Sequence, residues 1–319
     1  MVKNGLYLTY AESLAGRYGE KVYKIPISIP TTCPNRDGNL GHGGCDFCGE
    51  KGAGHETLSS TIDAANQYEQ NKTYIQKKYK AKKFIPYLQD FTNTYLSPQR
   101  FRDVMNELCR EDVVEFAVST RPDCILKEHL DILQEIKEKH GIDTTIELGV
   151  QTVNYKSLQK INRGHTLAEV IDAANQIKAY GFRICAHMIL NLPWDDSQDA
   201  IEGAKILSAL KVDDVKLHAL YIEEGTRFAQ MYRNHEFDLI SLEEYIERVR
   251  LFLEYLDPKI AIQRLIGRAP KEDTLFVNWN TGWWKIRDQI ESEMKMRDSY
   301  QGKHYDYLDG KAHKNRKFV

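Results

Sequence analysis

The chain has 319 residues, and its 44 lysines and arginines nearly balance 46 aspartates and glutamates, for a formal net charge of −2. That balance excludes a global positive field, so any nucleic-acid partner must be met by local patches. No apolar run nears the ~20 residues that cross a bilayer. Met1–Tyr10 has neither an apolar stretch nor a small-residue cleavage site, which argues against export and makes the cytoplasm the expected compartment.

In chain order, short β-rich runs are expected as strands at Lys24–Ile29, Lys83–Gln89, Glu115–Thr120, Thr145–Gln151, Phe182–Leu190, Asp214–Leu220 and Lys259–Leu265. Helical patterns lie between most of them. Ser97 followed by Pro98 starts one helix. Thr166 and Glu169 form a capping-box pattern before Leu167–Tyr180, whose face carries Val170, Ala173, Ala174 and Ile177 and which Gly181 stops. Ser241 and Glu244 repeat the pattern before Tyr245–Tyr255. Such alternation predicts an α/β fold, a partial or complete parallel β/α barrel over residues 24–265. An N-terminal extension, 1–23, precedes it, and a short helical C-terminal extension, 266–319, follows it.

Several of these strands have a polar face. Glu147 and Gln151, Cys185 and His187, and Lys216 and His218 each alternate with apolar neighbours. Strands buried on both faces usually read as continuous Val, Ile and Leu. The polar rows suit either a barrel interior that holds a polar ligand or a set of satisfied interior hydrogen bonders.

Cysteines cluster once. Cys33, Cys45 and Cys48 follow the first expected strand, in a segment crowded with Gly41, Gly43, Gly44, Gly49, Gly52 and Gly54. In a reducing compartment such clustering points to metal ligation. Four cysteine ligands close a [4Fe–4S] cluster, whereas three leave one iron open. The spacing serves equally a zinc site completed by His42 or His55. Cys109, Cys124 and Cys185 stand apart and read as small core residues.

The ordered motifs give a sharper indication. The cysteine segment is followed by Tyr87–Tyr95, Ser119-Thr120-Arg121-Pro122-Asp123, Glu147–Thr152, Asn162-Arg163-Gly164-His165-Thr166, His187–Pro193, Lys216–Tyr221 and Gly225-Thr226. In this order they resemble the radical S-adenosylmethionine (radical SAM) superfamily in its Elp3-like branch, in a bacterial stand-alone group. Gln89-Asp90 stands where other radical SAM enzymes have a glycine pair. The resemblance implies a [4Fe–4S] cluster on Cys33, Cys45 and Cys48, with the amino and carboxylate groups of S-adenosylmethionine chelating the open iron. It places Phe47 near the adenine, Gln89 and Thr92 at the methionyl end, and Thr120 near the ribose. Gln151 and Arg163 should reach polar groups of the cofactor. It further implies an electron donor such as flavodoxin or ferredoxin.

Elp3 relatives modify the wobble uridine of tRNA at its 5-position. The stand-alone group resembles enzymes that process a carboxymethylaminomethyl substituent toward aminomethyl. Between Lys72 and Lys83 lie six lysines and no acid, interleaved with Tyr74 and Tyr79. This patch suits phosphate contacts with base stacking, or equally a solvated helix face. The cationic tail Lys311–Lys317 is a second candidate phosphate contact. Trp279, Trp283 and Trp284 read as core or interface anchors. A small-molecule substrate and a non-catalytic zinc or iron–sulfur module are the rival functions.

Overall fold

In the computed structural model, which describes residues 5–50, 52, 57–268 and 273–313, seven parallel strands form one curled sheet. They are β1 (Val22–Ile27), β2 (Lys83–Leu88), β3 (Glu115–Thr120), β4 (Asp143–Gln151), β5 (Arg183–Ile189), β6 (Asp214–His218) and β8 (Ala261–Arg264), paired in that order. A separate antiparallel pair joins β7 (Ile222–Glu223) to β9 (Thr274–Phe276). The helices are α1 (Tyr10–Tyr18), α2 (Ala64–Tyr79), α3 (Pro98–Glu107), α4 (Lys127–His140), α5 (Tyr155–Lys160), α6 (Leu167–Ala179), α7 (Ser197–Ala209), α8 (Arg227–Arg233), α9 (Leu242–Tyr255) and α10 (Trp283–Met296). His55 and Gly54 of the cysteine segment, and Lys314, Arg316 and Lys317 of the tail, lie outside the described residues.

The barrel is partial, since β1 and β8 do not pair. The N-terminal segment covers that seam. Thr9 bridges Ile262 in parallel, and the Ile262 amide donates to Leu8 O at 2.8 Å. Helix α1 then packs against β8 and β1. Its start was readable, because Thr9 and Glu12 form a full capping box and Gly19 ends it at φ 66°. The C-terminal segment locks the same end. Gln301 donates to Asp257 O and Ile260 O and accepts from the Leu8 amide, and α10 packs on α9.

The expected helix starts are present. Thr166 and Glu169 cap α6 reciprocally, and Ser97 with Pro98 opens α3. At α9 only half of the box forms. Ser241 Oγ accepts from the Glu244 amide, while the Glu244 carboxylate turns to Arg248 four residues on. An ion pair one turn away outcompetes the cap at that position.

One buried carboxylate makes the fold's stability depend on pH. Asp195, after β5, accepts from Ser157 Oγ, and burial pushes its carboxyl up to about 6 against the hydrogen bonds of Ser157 and Thr152. The folded chain therefore holds this proton longer than the unfolded one, whose Asp titrates near 3.9. Stability falls as pH rises from about 4 through 6. Asp195→Asn keeps an acceptor for Ser157 and removes this loss. Thermal melts should show the variant more stable than the parent at pH 7, by about 3 kcal/mol, with the gap about half that at pH 5. Parallel profiles would contradict the assignment.

Candidate active site

The loop after β1 carries the three cysteines, and its own turns preorganise it. The Arg36 amide donates to Cys33 O at 2.8 Å, and the Cys48 amide donates to Cys45 O at 2.8 Å. The segment between α5 and α6 clamps the loop. Asp46 N donates to Ile161 O, Asn162 Nδ2 to Gly44 O, and Asn35 Nδ2 to Asn162 O at 2.6 Å. The motif around Arg163 thus serves first to hold the cysteine loop.

Each of the three sulfurs faces its own guanidinium. Arg121 Nη1 lies 4.0 Å from Cys33 Sγ, Arg163 Nη1 lies 3.5 Å from Cys45 Sγ, and Arg36 Nη2 lies 3.5 Å from Cys48 Sγ. Asn35 Nδ2 adds a contact to Cys45 Sγ at 3.7 Å. Burial and the neighbouring Cys45 and Cys33 push the Cys48 thiol up, and Arg36 opposes them. Three thiolates this close repel one another, and the three arginines offset that charge. None of the six cysteines is in a disulfide.

Zinc–sulfur bonds of about 2.3 Å in a tetrahedron put sulfurs about 3.8 Å apart. Among the described residues, the trio whose ligand atoms all lie within 4.8 Å is Glu147, Cys185 and His187, and the three loop cysteines are not such a group. Three thiolates, each beside a guanidinium, suit a cluster that carries net negative charge. His42 is exposed, and its ring packs over Gly38. The residues present therefore fit a [4Fe–4S] cluster with one open iron.

All six residues expected at the cofactor line one cavity of about 1370 Å³ together with the three cysteines. Phe47 packs edge-on against Phe228 at 6.4 Å. Thr92 is buried, with its amide on Thr32 O. Thr120 Oγ1 shares a 2.6 Å hydrogen bond with Thr94 Oγ1. Gln89 donates its amide to Ile27 O, at the carboxyl end of β1. Gln151 ends β4 at φ 71°, just past a register shift between Gly149 and Gln151. Such strain is stored where the surroundings over-determine it. Arg163 is committed to Cys45 Sγ and to Gly149 O at 2.7 Å, which leaves its buried Nε without a partner. A Cβ on Gly149 would stand 2.7 Å from Arg163 Nη2, so a side chain there would displace the end of that guanidinium.

Sequence reasoning missed Asn35, Arg36, Arg121 and His165. Arg121 is 2 % exposed, forms two hydrogen bonds with Asp123, and donates to Arg163 O at 2.9 Å. Its available signal was its place in the Thr-Arg-Pro-Asp motif. His165 stands 3.3 Å from Gly149 O. Burial, then Arg163 and Arg121, pushes its imidazole down to about 3, so the ring is neutral.

The polar strand faces converge inside the barrel. Glu147 accepts from Lys24 Nζ, Lys216 Nζ and His187 Nε2. Lys216 also donates to Tyr87 OH at 3.1 Å, and Ser119 Oγ reaches the same oxygen at 3.2 Å. Burial alone would raise the Glu147 carboxyl, but Lys216, Lys24 and the His187 hydrogen bond hold it well below the usual carboxylate range. Burial, with Lys216, pushes His187 down to about 4 despite Glu147. Burial brings Lys216 down to about 8, against the pull of Glu147.

Nine lysine and arginine side chains line the cavity against two glutamates, in a chain whose net charge is −2. Its lining includes Tyr74, Ile75 and Tyr79 of α2, Tyr23 of β1, and Arg268, Trp283 and Arg287. Tyr23 and Tyr79 stack at 4.4 Å, and Arg268 lies 5.0 Å from the Trp283 ring centre. Trp279 is a core anchor that donates to Ile240 O at 2.8 Å, whereas Trp283 faces the cavity and Trp284 is half-exposed.

A curled parallel sheet, a three-cysteine loop beyond its first strand and an open cavity beside it define a barrel enzyme built around an iron–sulfur cluster with a free coordination position. The chain belongs to the radical SAM superfamily, whose model matches residues 27–202, and the Radical_SAM C-terminal domain matches residues 212–296. The chain is 33% identical to the uncharacterized protein YtqA of Bacillus subtilis over 304 residues, 95% of this chain and 94% of that one. It is 31% identical over 147 residues to the tRNA uridine(34) acetyltransferase of Methanocaldococcus jannaschii, covering 45% of this chain and 26% of the relative. The fold is similar to the archaeal Methanocaldococcus infernus Elp3, with a TM-score of 0.66 at 17% identity, over 88% of this chain and 64% of that one. The cofactors are accordingly a [4Fe–4S] cluster and S-adenosylmethionine. Among the described residues no helix is long and apolar enough to cross a membrane.

Proposed function

We propose that this enzyme acts on the 5-substituent of the wobble uridine of tRNA, converting carboxymethylaminomethyl toward aminomethyl, with the two-carbon acid unit leaving as glyoxylate after addition of water and with S-adenosylmethionine as the two-electron oxidant. When bound, the cluster and S-adenosylmethionine supply a 5′-deoxyadenosyl radical able to remove a hydrogen atom from a substrate carbon. The observation that carries the RNA reading is the part of the cavity wall away from the cysteines and Glu147, where Lys21, Arg268 and Arg287 stand with Tyr23, Tyr74, Tyr79 and Trp283. Cations meet phosphates while aromatic faces stack on unpaired bases. The similarity to a tRNA uridine(34) acetyltransferase supports the same position on the nucleic acid.

In this reading residues 24–265 are the catalytic barrel, and the terminal extensions brace its seam and far end. Phe47, Gln89, Thr92, Thr120, Gln151 and Arg163 hold S-adenosylmethionine, supported by their common cavity with the cysteines. A flavodoxin or ferredoxin in the cytoplasm delivers the electron.

Four lysines in the run that includes α2 are free to meet RNA. Lys72 is not among them, because it pairs with Asp112 at 2.5 Å. Lys77, Lys78, Lys80 and Lys82 are exposed. Changing these four to glutamine together should weaken tRNA binding and flatten its salt dependence, by about one unit of slope or less per lost phosphate contact. S-adenosylmethionine cleavage without tRNA should change little. Nucleoside mass spectrometry of tRNA from a deletion strain is the decisive assay. An unchanged wobble-uridine profile, in an organism with no redundant enzyme, would overturn the tRNA reading.

A further inference from the structure

The interior network holds more positive charge than its one carboxylate balances. The register of β5, β6 and β8 sets His187, Lys216 and Arg264 in one row. His218, two residues beyond Lys216, stacks on His187 with ring centres 5.3 Å apart. Arg264 Nη2 donates to His218 Nδ1 at 2.8 Å. Among the described residues no carboxylate is bonded to Arg264, and its buried Nε has no partner. The neighbouring Gln263 Nε2 is also buried and unpaired. Glu147 is already shared by Lys24, Lys216 and His187. Burial, then Arg264, holds His218 well below its ordinary range, so the ring adds no charge.

Two ammonium groups and a guanidinium thus face a single carboxylate. Buried charge of this kind is costly unless a ligand supplies the missing anion. We infer that Arg264, with Lys216 and His218 beside it, is a seat for a carboxylate at the end of the substrate. A guanidinium edge matches the two oxygens of a terminal carboxylate. The inference rests on the tRNA reading, and it makes this row the part that distinguishes carboxymethylaminomethyl from aminomethyl. S-adenosylmethionine also carries a carboxylate. The family resemblance puts that group on the open iron at the three-cysteine loop, and the test below separates the two carboxylates.

The test uses reconstituted full-length enzyme with S-adenosylmethionine and no reductant. Two anticodon stem-loops are compared, one with carboxymethylaminomethyluridine and one with aminomethyluridine at the wobble position. The parent should bind the carboxylate form about 10- to 100-fold more tightly, as a charge-assisted hydrogen bond requires. Arg264→Gln should erase that preference, with iron content and S-adenosylmethionine affinity unchanged. Arg264→Lys should keep part of it, and replaces the glutamine variant if that one fails to take up iron. Equal binding of both stem-loops by the parent, a preference that survives in Arg264→Gln, or, where that variant takes up no iron, one that is undiminished in Arg264→Lys, overturns the seat. So does a 10-fold loss of S-adenosylmethionine affinity, which would assign Arg264 to the methionyl carboxylate. If neither stem-loop binds, the tRNA reading fails and the seat is judged with N-methylglycine alone. Calorimetry should then show binding by the parent and none by Arg264→Gln, and no binding by either overturns the inference.

Discussion

Replacing any one of Cys33, Cys45 and Cys48 by alanine should abolish assembly of a cluster of about four irons, whereas Cys109→Ala should leave it intact. Each of the three sulfurs has its own guanidinium within 4.0 Å. Removing one sulfur leaves that cation facing a gap and strips one corner from the cluster. Cys109 lies apart, half-buried just past the end of α3, with its Sγ directed at Met105 O. Iron and sulfide analysis after anaerobic reconstitution, with visible absorption from thiolate–iron charge transfer, reads the result. Stoichiometric zinc without iron uptake by the parent protein would contradict the cluster.

Glu147→Gln should be the most damaging single change inside the barrel away from the cluster. The glutamine keeps the shape but leaves Lys24 and Lys216 without their counter-charge. Breaking a buried pair by removing one partner costs about 3–5 kcal/mol. In a chain of this size that lowers the melting temperature by roughly 5 °C. Adding Lys216→Met to Glu147→Gln should recover part of the loss, because it removes one of the stranded cations. A double-mutant cycle measures that coupling. A shift below about 1 °C would mean that water, not Glu147, compensates the two lysines.

The strands were legible because parallel sheets impose β-rich runs between capped helices, and all seven expected strands lie in the sheet. The ends were less so, since β6 stops at His218 and β8 at Arg264 where the composition alone runs on. Helix α1 was missed although Thr9 and Glu12 announce it, because a short segment before the first strand reads as an extension. Strands β7 and β9 have only two and three residues, and only their mutual pairing defines them. At the site, the cysteines and the polar faces of β4, β5 and β6 could be read from alternation and spacing. Arg36 could not, since an arginine in a loop usually reads as solvated surface, and Arg121 stood in the Thr-Arg-Pro-Asp motif, which did not show its role. Only the fold shows that both turn inward to the sulfurs. Lys24 was passed over for the same reason, as a charged residue near the start of a strand.

The most direct measurement is made on the reconstituted enzyme, reduced anaerobically in the presence of S-adenosylmethionine, with its products resolved by chromatography. The account predicts 5′-deoxyadenosine and methionine in equal amounts from the parent, and neither from Cys33→Ala, Cys45→Ala or Cys48→Ala. A parent protein that carries its iron yet forms no 5′-deoxyadenosine would contradict it.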